Sequence, residues 1–156
     1  MRGAVVAPYV EPACPYCAGH RTVDFAARLG DAVESPVAGV VVFYGFVTGR
    51  LYITVDPADT EGFAPGAVVT VGGMILDDVS AEGPNPRAGD PVRRGERVGD
   101  AAGGVVTLSL RRADGTYVDP TAHLGRWRSA ARLAPRWGPS RAGPRVVACP
   151  TAPTSR

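Results

Sequence analysis

The sequence predicts an all-β fold, and three observations carry that expectation. Glycine and proline are abundant, at 20 and 15 of 156 residues. Valine leads the apolar set while strong helix formers are sparse, and where apolar residues recur they alternate instead of following a 3.6-residue period. A chain of this length makes about one domain and can bury a core without disulfide or metal staples.

Each element is justified in turn. Val33, Val37, Val40, Val41 and Val42 gather around Pro36 and Gly39, which predicts a short strand, a tight turn and a second strand, VVVFYG, paired as a hairpin. RLYITVD, residues 50–56, alternates Tyr52, Thr54 and Asp56 against Leu51, Ile53 and Val55, a half-buried strand ended by Pro57. AVVTV, within residues 66–74, is the next strand, and residues 77–88, polar and holding Pro84 and Pro86, form a loop. GDPVRRGERVG sets Val92 and Val98 on two short strands around the turn glycine Gly95. VVTLSLR, residues 105–111, alternates Val105, Thr107 and Ser109 against Val106, Leu108 and Leu110. Asp114-Gly115 is a turn between strands, and Asp119-Pro120 begins another.

Charge divides the chain. All 17 basic residues are Arg, so chemistry needing a side-chain amine is excluded. Seven of them lie in residues 126–156, which hold no acid, leaving 10 Arg against 15 carboxylates before that. The organisation expected is an N-terminal extension over 1–11, a domain over 12–125 and an Arg/Pro-rich unstructured tail over 126–156. Basic tails contact nucleic acid, anionic lipid or acidic polymers. With only Trp127 and Trp137 to stack bases, no sequence-specific nucleic-acid binding is expected. No run approaches the roughly 18 apolar residues of a membrane span. Nor does the start read as a signal peptide, since the apolar run between Arg2 and Pro8 is only Ala4 to Ala7.

The chemistry concentrates in GHRTVDFAARLGDAVESPVAGVVVFYG, Gly19 to Gly45. His20 and Asp24, four apart on a short extended or looped segment, are both ordinary zinc ligands, but a catalytic zinc needs about three protein ligands and an open position for water. The plainer reading makes His20 a loop histidine bonded to a carbonyl and pairs Asp24 with Arg21 or Arg28. Upstream, Cys14 and Cys17 complete a C-x2-C-x2-H-x3-D run. A closed structural zinc site would use all four side chains. A disulfide, Cys14 to Cys17 or one of them to Cys149, in an oxidising extracytoplasmic compartment is the alternative. Thioredoxin-like chemistry lacks a βαβ context.

From about Pro12 to Gly125 the segments GHRTVDFAA, GDAVESPVAGVVVFYG, VRRGERVG and LRRADGTYVDPTAHLG resemble, in this order, the lysostaphin-type (LytM-like) zinc endopeptidases of peptidoglycan, notably shortened actinobacterial members. The resemblance implies an antiparallel β-sandwich or barrel of the duplicated hybrid motif type, with zinc in a groove held by the His and Asp of the first motif and by a late His-x-His. His20 and Asp24 match the first two ligands. Val105 and Thr107 fall where His-x-His belongs, and a further histidine expected on a middle strand falls near Gly73. The remaining histidine, His123, lies in the closing turn after the strand that carries the missing ligand. No catalytic residue is therefore assigned.

The resemblance thus implies a degenerate domain that binds peptidoglycan or regulates a wall hydrolase without cutting, as inactive members regulate amidases, and that acts outside the cytoplasm. The alternative is an active zinc endopeptidase with an atypical ligand set. SPVAGVVV and VRRGERVG also resemble biotinyl and lipoyl carrier domains, which need a hairpin Lys that this chain lacks.

Overall fold

The computed structural model describes residues 3–14, 16–75 and 85–123. The fold is all-β and antiparallel: β1 Val5–Ala7, β2 Val23–Ala27, β3 Ala32–Glu34, β4 Gly39–Val47, β5 Arg50–Pro57, β6 Val68–Ile75, β7 Pro91–Val92, β8 Arg97–Ala101, β9 Gly104–Arg111 and β10 Tyr117–Val118. Two short 3-10 turns, Asp59–Glu61 and Pro120–Ala122, complete the described elements. No described helix is long and apolar enough to cross a membrane.

The long strands lie in the order β1-β2-β9-β6-β5-β4-β7, with β10 on β9 and a β3–β8 ribbon joined to the end of β6. Alternation decides which face each strand buries. Leu51, Ile53 and Val55 of β5, Val69 and Val71 of β6, and Val106, Leu108 and Leu110 of β9 point into one core with Val33 and Val98 of the ribbon. Burying each such aliphatic side chain contributes about 1.5–3 kcal/mol. The opposite phase of the same strands, Tyr52, Thr54, Thr70 and Thr107, stays half-buried and forms a polar face.

The strands expected over 50–56, 66–74 and 105–111 are present, the first and last with the expected alternation. Gly95 takes a positive φ of 81° between β7 and β8. The Asp114-Gly115 turn joins β9 to β10, with the Gly115 amide bonded to the Arg112 carbonyl. Asp119 caps the second 3-10 turn by accepting from the Thr121 amide at 2.9 Å.

The hairpin expected across Pro36 and Gly39 does not form. β3 pairs with β8, and β4 with β5 and β7. Ser35 explains the crossing. Its amide bonds to the Glu96 carbonyl, its carbonyl accepts from the Gly95 amide, and its buried hydroxyl donates to the Val37 carbonyl at 2.7 Å. With the main chain committed to the β7–β8 turn and Val37 buried in the core, the segment crosses from ribbon to sheet instead of folding back. The part of the expected loop over 77–84 and the expected tail over 126–156, with Cys149, lie outside the described residues. Val5–Ala7, placed in the N-terminal extension, adds a strand to β2.

Candidate metal centre and groove face

His20 sits three residues before β2 begins. Its backbone forms an isolated bridge with Val10, through two hydrogen bonds of 2.9 Å. Its ring Nδ1 lies 2.8 Å from the Pro8 carbonyl oxygen, which can only accept, so Nδ1 carries the proton and Nε2 is turned the other way. Nε2 is 3.3 Å from Asp24 Oδ2. Thr22 closes the cluster: its Oγ1 is 3.1 Å from Nε2 and donates to Asp24 Oδ1 at 2.6 Å. A carbonyl on Nδ1, with Nε2 left to face the neighbouring carboxylate, matches the outer-shell contact that orients metal-binding histidines.

The plain reading of His20 matches this geometry, whereas the partners seen at Asp24 are not the expected Arg21 or Arg28 but His20 and Thr22. Thr22 went unnoticed in the sequence, although residues 20, 22 and 24 share one face under strand periodicity. Pro8 and Val10 gave no sequence signal, because they act through backbone atoms.

The decisive register is β2 on β9. Asp24 stands directly opposite Thr107. Thr107 in turn pairs with Gly72 of β6, Gly72 with Tyr52 of β5, and Tyr52 with Gly45 of β4. The result is one row across five strands, Asp24–Thr107–Gly72–Tyr52–Gly45, running away from His20. Tyr52 lays its ring over Gly72, where any Cβ would collide with it and would stand 2.9 Å from Thr107 Oγ1. Beside this row runs a second, Ser109–Thr70–Thr54–Phe43, with the Thr54 and Thr70 hydroxyls 2.9 Å apart.

The middle-strand position expected near Gly73 thus belongs to a glycine pair. Gly72 lies in the row with Thr107 and Tyr52, whereas Gly73, at φ 82°, is the extra residue of a bulge. His123 is elsewhere engaged, its ring stacked on Phe63 with centroids 4.4 Å apart. Cys14 and Cys17 are bonded to each other as a disulfide. In this form neither sulfur is a thiolate that could join a closed four-ligand zinc site. Among the described residues no three His, Cys, Asp or Glu side chains converge. The donor set is a histidine, a carboxylate and a hydroxyl, and a threonine hydroxyl is a poor zinc ligand beside imidazole, thiolate or carboxylate. These residues do not fit a catalytic zinc.

The same architecture occurs in solved structures of peptidases. The catalytic domain of the antimicrobial peptidase lysostaphin from Staphylococcus simulans superposes with a TM-score of 0.59 at 16% identity, covering 78% of this chain and 92% of that one. The catalytic domain of the prophage-encoded M23 protein EnpA from Enterococcus faecalis gives 0.57 at 21% identity, over 78% and 91%. LytU gives 0.57 at 14% identity, over 78% and 84%. The chain has the lysostaphin-type peptidase fold. No protein-family model matches the sequence, and no curated protein is significantly similar to it. At these identities the lysostaphin-type likeness is one of fold, and the side chains on the polar face must speak for the chemistry.

Proposed function

We propose that this chain is a degenerate LytM-like peptidoglycan-endopeptidase domain that binds cell wall, or a wall hydrolase, without cutting. The observation that carries the reading is Thr107 opposite Asp24. Hydrolysis by a metal-bound hydroxide needs a third strong ligand and a base, and the ladder offers a hydroxyl at that place and glycine beyond it. The peptidases that share the fold support peptidoglycan as the ligand and an extracytoplasmic setting, and the disulfide accords with that setting.

The polar face of the sheet suits recognition of neutral polar groups. Thr54, Thr70, Thr107 and Tyr52 offer hydroxyls, which both donate and accept, to the amides and hydroxyls of a peptide-bearing glycan. Aromatic rings at Tyr52 and Phe43 add flat apolar surface.

Cosedimentation with purified sacculi tests the reading. The expected result is protein in the pellet with no soluble peptide released, and weaker binding for Tyr52→Ala. Protein that stays in the supernatant both with sacculi and with sacculi carrying a wall hydrolase would count against it. Release of peptide that chelator abolishes and zinc restores would replace it with the active-enzyme alternative.

A further inference from the structure

The Cys14–Cys17 bridge crosses the tip of the hairpin that delivers His20, yet that hairpin is already closed below it. Two backbone hydrogen bonds join Val10 to His20, and Gly19 packs against Pro12 so closely that a Cβ there would stand 2.8 Å from the Pro12 Cβ. A bridge spanning three positions closes too short a loop to remove much chain entropy from the unfolded state. As a staple it adds little.

Its surroundings suit exchange. Cys14 is exposed and Cys17 half-buried, so one sulfur is open to attack and the other is placed to leave. The ring is held in a turn by the Cys17 amide bonding to the Cys14 carbonyl at 3.0 Å, while the neighbouring Tyr16 is 98% exposed and shields nothing. Cys14 also lines a cleft of about 490 Å³ with Glu11, Arg21, Asp114 and Thr116. Arg21 reaches the Cys17 carbonyl at 3.5 Å, putting a cation at the leaving end of the ring. A reactive sulfur in the wall of a cleft that carries both signs of charge matches a small thiol that is itself zwitterionic.

We propose that Cys14–Cys17 is a thiol–disulfide exchange site for a small zwitterionic thiol, with Cys14 the sulfur attacked first. In the first step the thiolate of the small thiol bonds to Cys14 Sγ, the Cys14–Cys17 bond breaks, and Cys17 leaves as a thiolate that takes a proton from solvent. A second thiol then attacks the sulfur of the bound thiol. The small thiol departs as its own disulfide and Cys14 is released, so two thiols are oxidised and one protein disulfide is reduced. Run backwards, the same steps pass the disulfide from the oxidised small molecule to the protein. The site stands independently of wall binding.

The test uses glutathione as the probe on the full chain carrying Cys149→Ser, so that the third thiol does not report. Mass spectrometry after timed acid quenching should find Cys17→Ser forming the glutathione adduct at Cys14, from oxidised glutathione, at least about tenfold faster than Cys14→Ser forms one at Cys17. Arg21→Gln should lose the preference for glutathione over uncharged 2-mercaptoethanol. In the unsubstituted pair, reduced glutathione should open the bridge while circular dichroism and the thermal melt remain those of a folded chain, with the Cys14→Ser/Cys17→Ser double variant as the folded, bridge-free reference. Equal adduct rates at the two positions, or a bridge that opens only in denaturant, would overturn the proposal. A glutathione preference unchanged by Arg21→Gln would overturn the part assigned to the cleft.

Discussion

At the scale of single residues, the protein turns on what faces Asp24. The Nε2 of His20 and the carboxylate of Asp24 already lie 3.3 Å apart, and the Pro8 carbonyl fixes which ring nitrogen is presented. What is missing is the third donor. Losing even an outer-shell partner costs a metal site about 10–100-fold in affinity, so supplying an inner ligand should tighten zinc binding by at least about 100-fold. Thr107→His is therefore expected to bind zinc in isothermal titration calorimetry where the parent chain binds weakly, and His20→Ala added to it should abolish the gain. An unchanged titration would mean that residue 107 does not face the pair. The variant tests placement and does not need turnover.

At the scale of the element, β6 shows how one glycine lets a strand change partners within the sheet. Through Gly72 the strand pairs with β9, and from Met74 it pairs with β8. The change of partner occurs at Gly73, whose φ of 82° lets the extra residue of the bulge turn the strand. A side chain there would meet the Val105 carbonyl and take up a left-handed conformation that L residues resist. Gly73→Ala is expected to destabilise the fold by about 1–3 kcal/mol, and a urea titration should show a lower midpoint with an unchanged slope. Gly95→Ala, at a similar φ but with open space around the position, should lose less. Equal losses would mean that backbone conformation alone, without the close approach of β9, limits Gly73.

At the scale of the whole molecule, Glu61 ties three connections together. Its carboxylate pairs with Arg94 of the β7–β8 turn and accepts from the Ala38 amide at 3.0 Å, where the chain crosses from ribbon to sheet. The hydrogen bonds from Arg94, helped by the Ala38 amide, hold the Glu61 carboxyl below its ordinary value. A carboxylate with a depressed folded-state value stabilises above its unfolded value, about 4.3, and loses that contribution as pH falls through the folded one. Glu61→Gln should thus lower stability near neutrality by about 1–2 kcal/mol. The gap in melting temperature between it and the parent should close as the pH is taken down toward 3. A gap that persists undiminished in acid would show that the packing of the side chain, and not its charge, makes the difference.

Strand content, strand faces and the His20–Asp24 pair were legible in the sequence because they rest on local rules: alternation, turn residues and a four-residue spacing act within a few positions of each other. So was the polar phase of residues 105–109, which sets Thr107 on the same side as Asp24. Partnership was not legible. Val33 and Val40 looked like two arms of one hairpin, and only the bonds of Ser35 to the distant Gly95 and Glu96 show that the chain crosses between them. The same holds for the histidine, whose ring is oriented by a carbonyl twelve residues earlier. The sequence by itself determined, for β5 and β9, which side chains fill the core and which lie on the opposite face. Only the tertiary structure decided that Asp24 meets a threonine hydroxyl, that Tyr52 covers Gly72, and that Cys14 bonds to Cys17. These are pairings between strands or across a loop, set by register and by closure of the chain, and no periodicity within one segment encodes them.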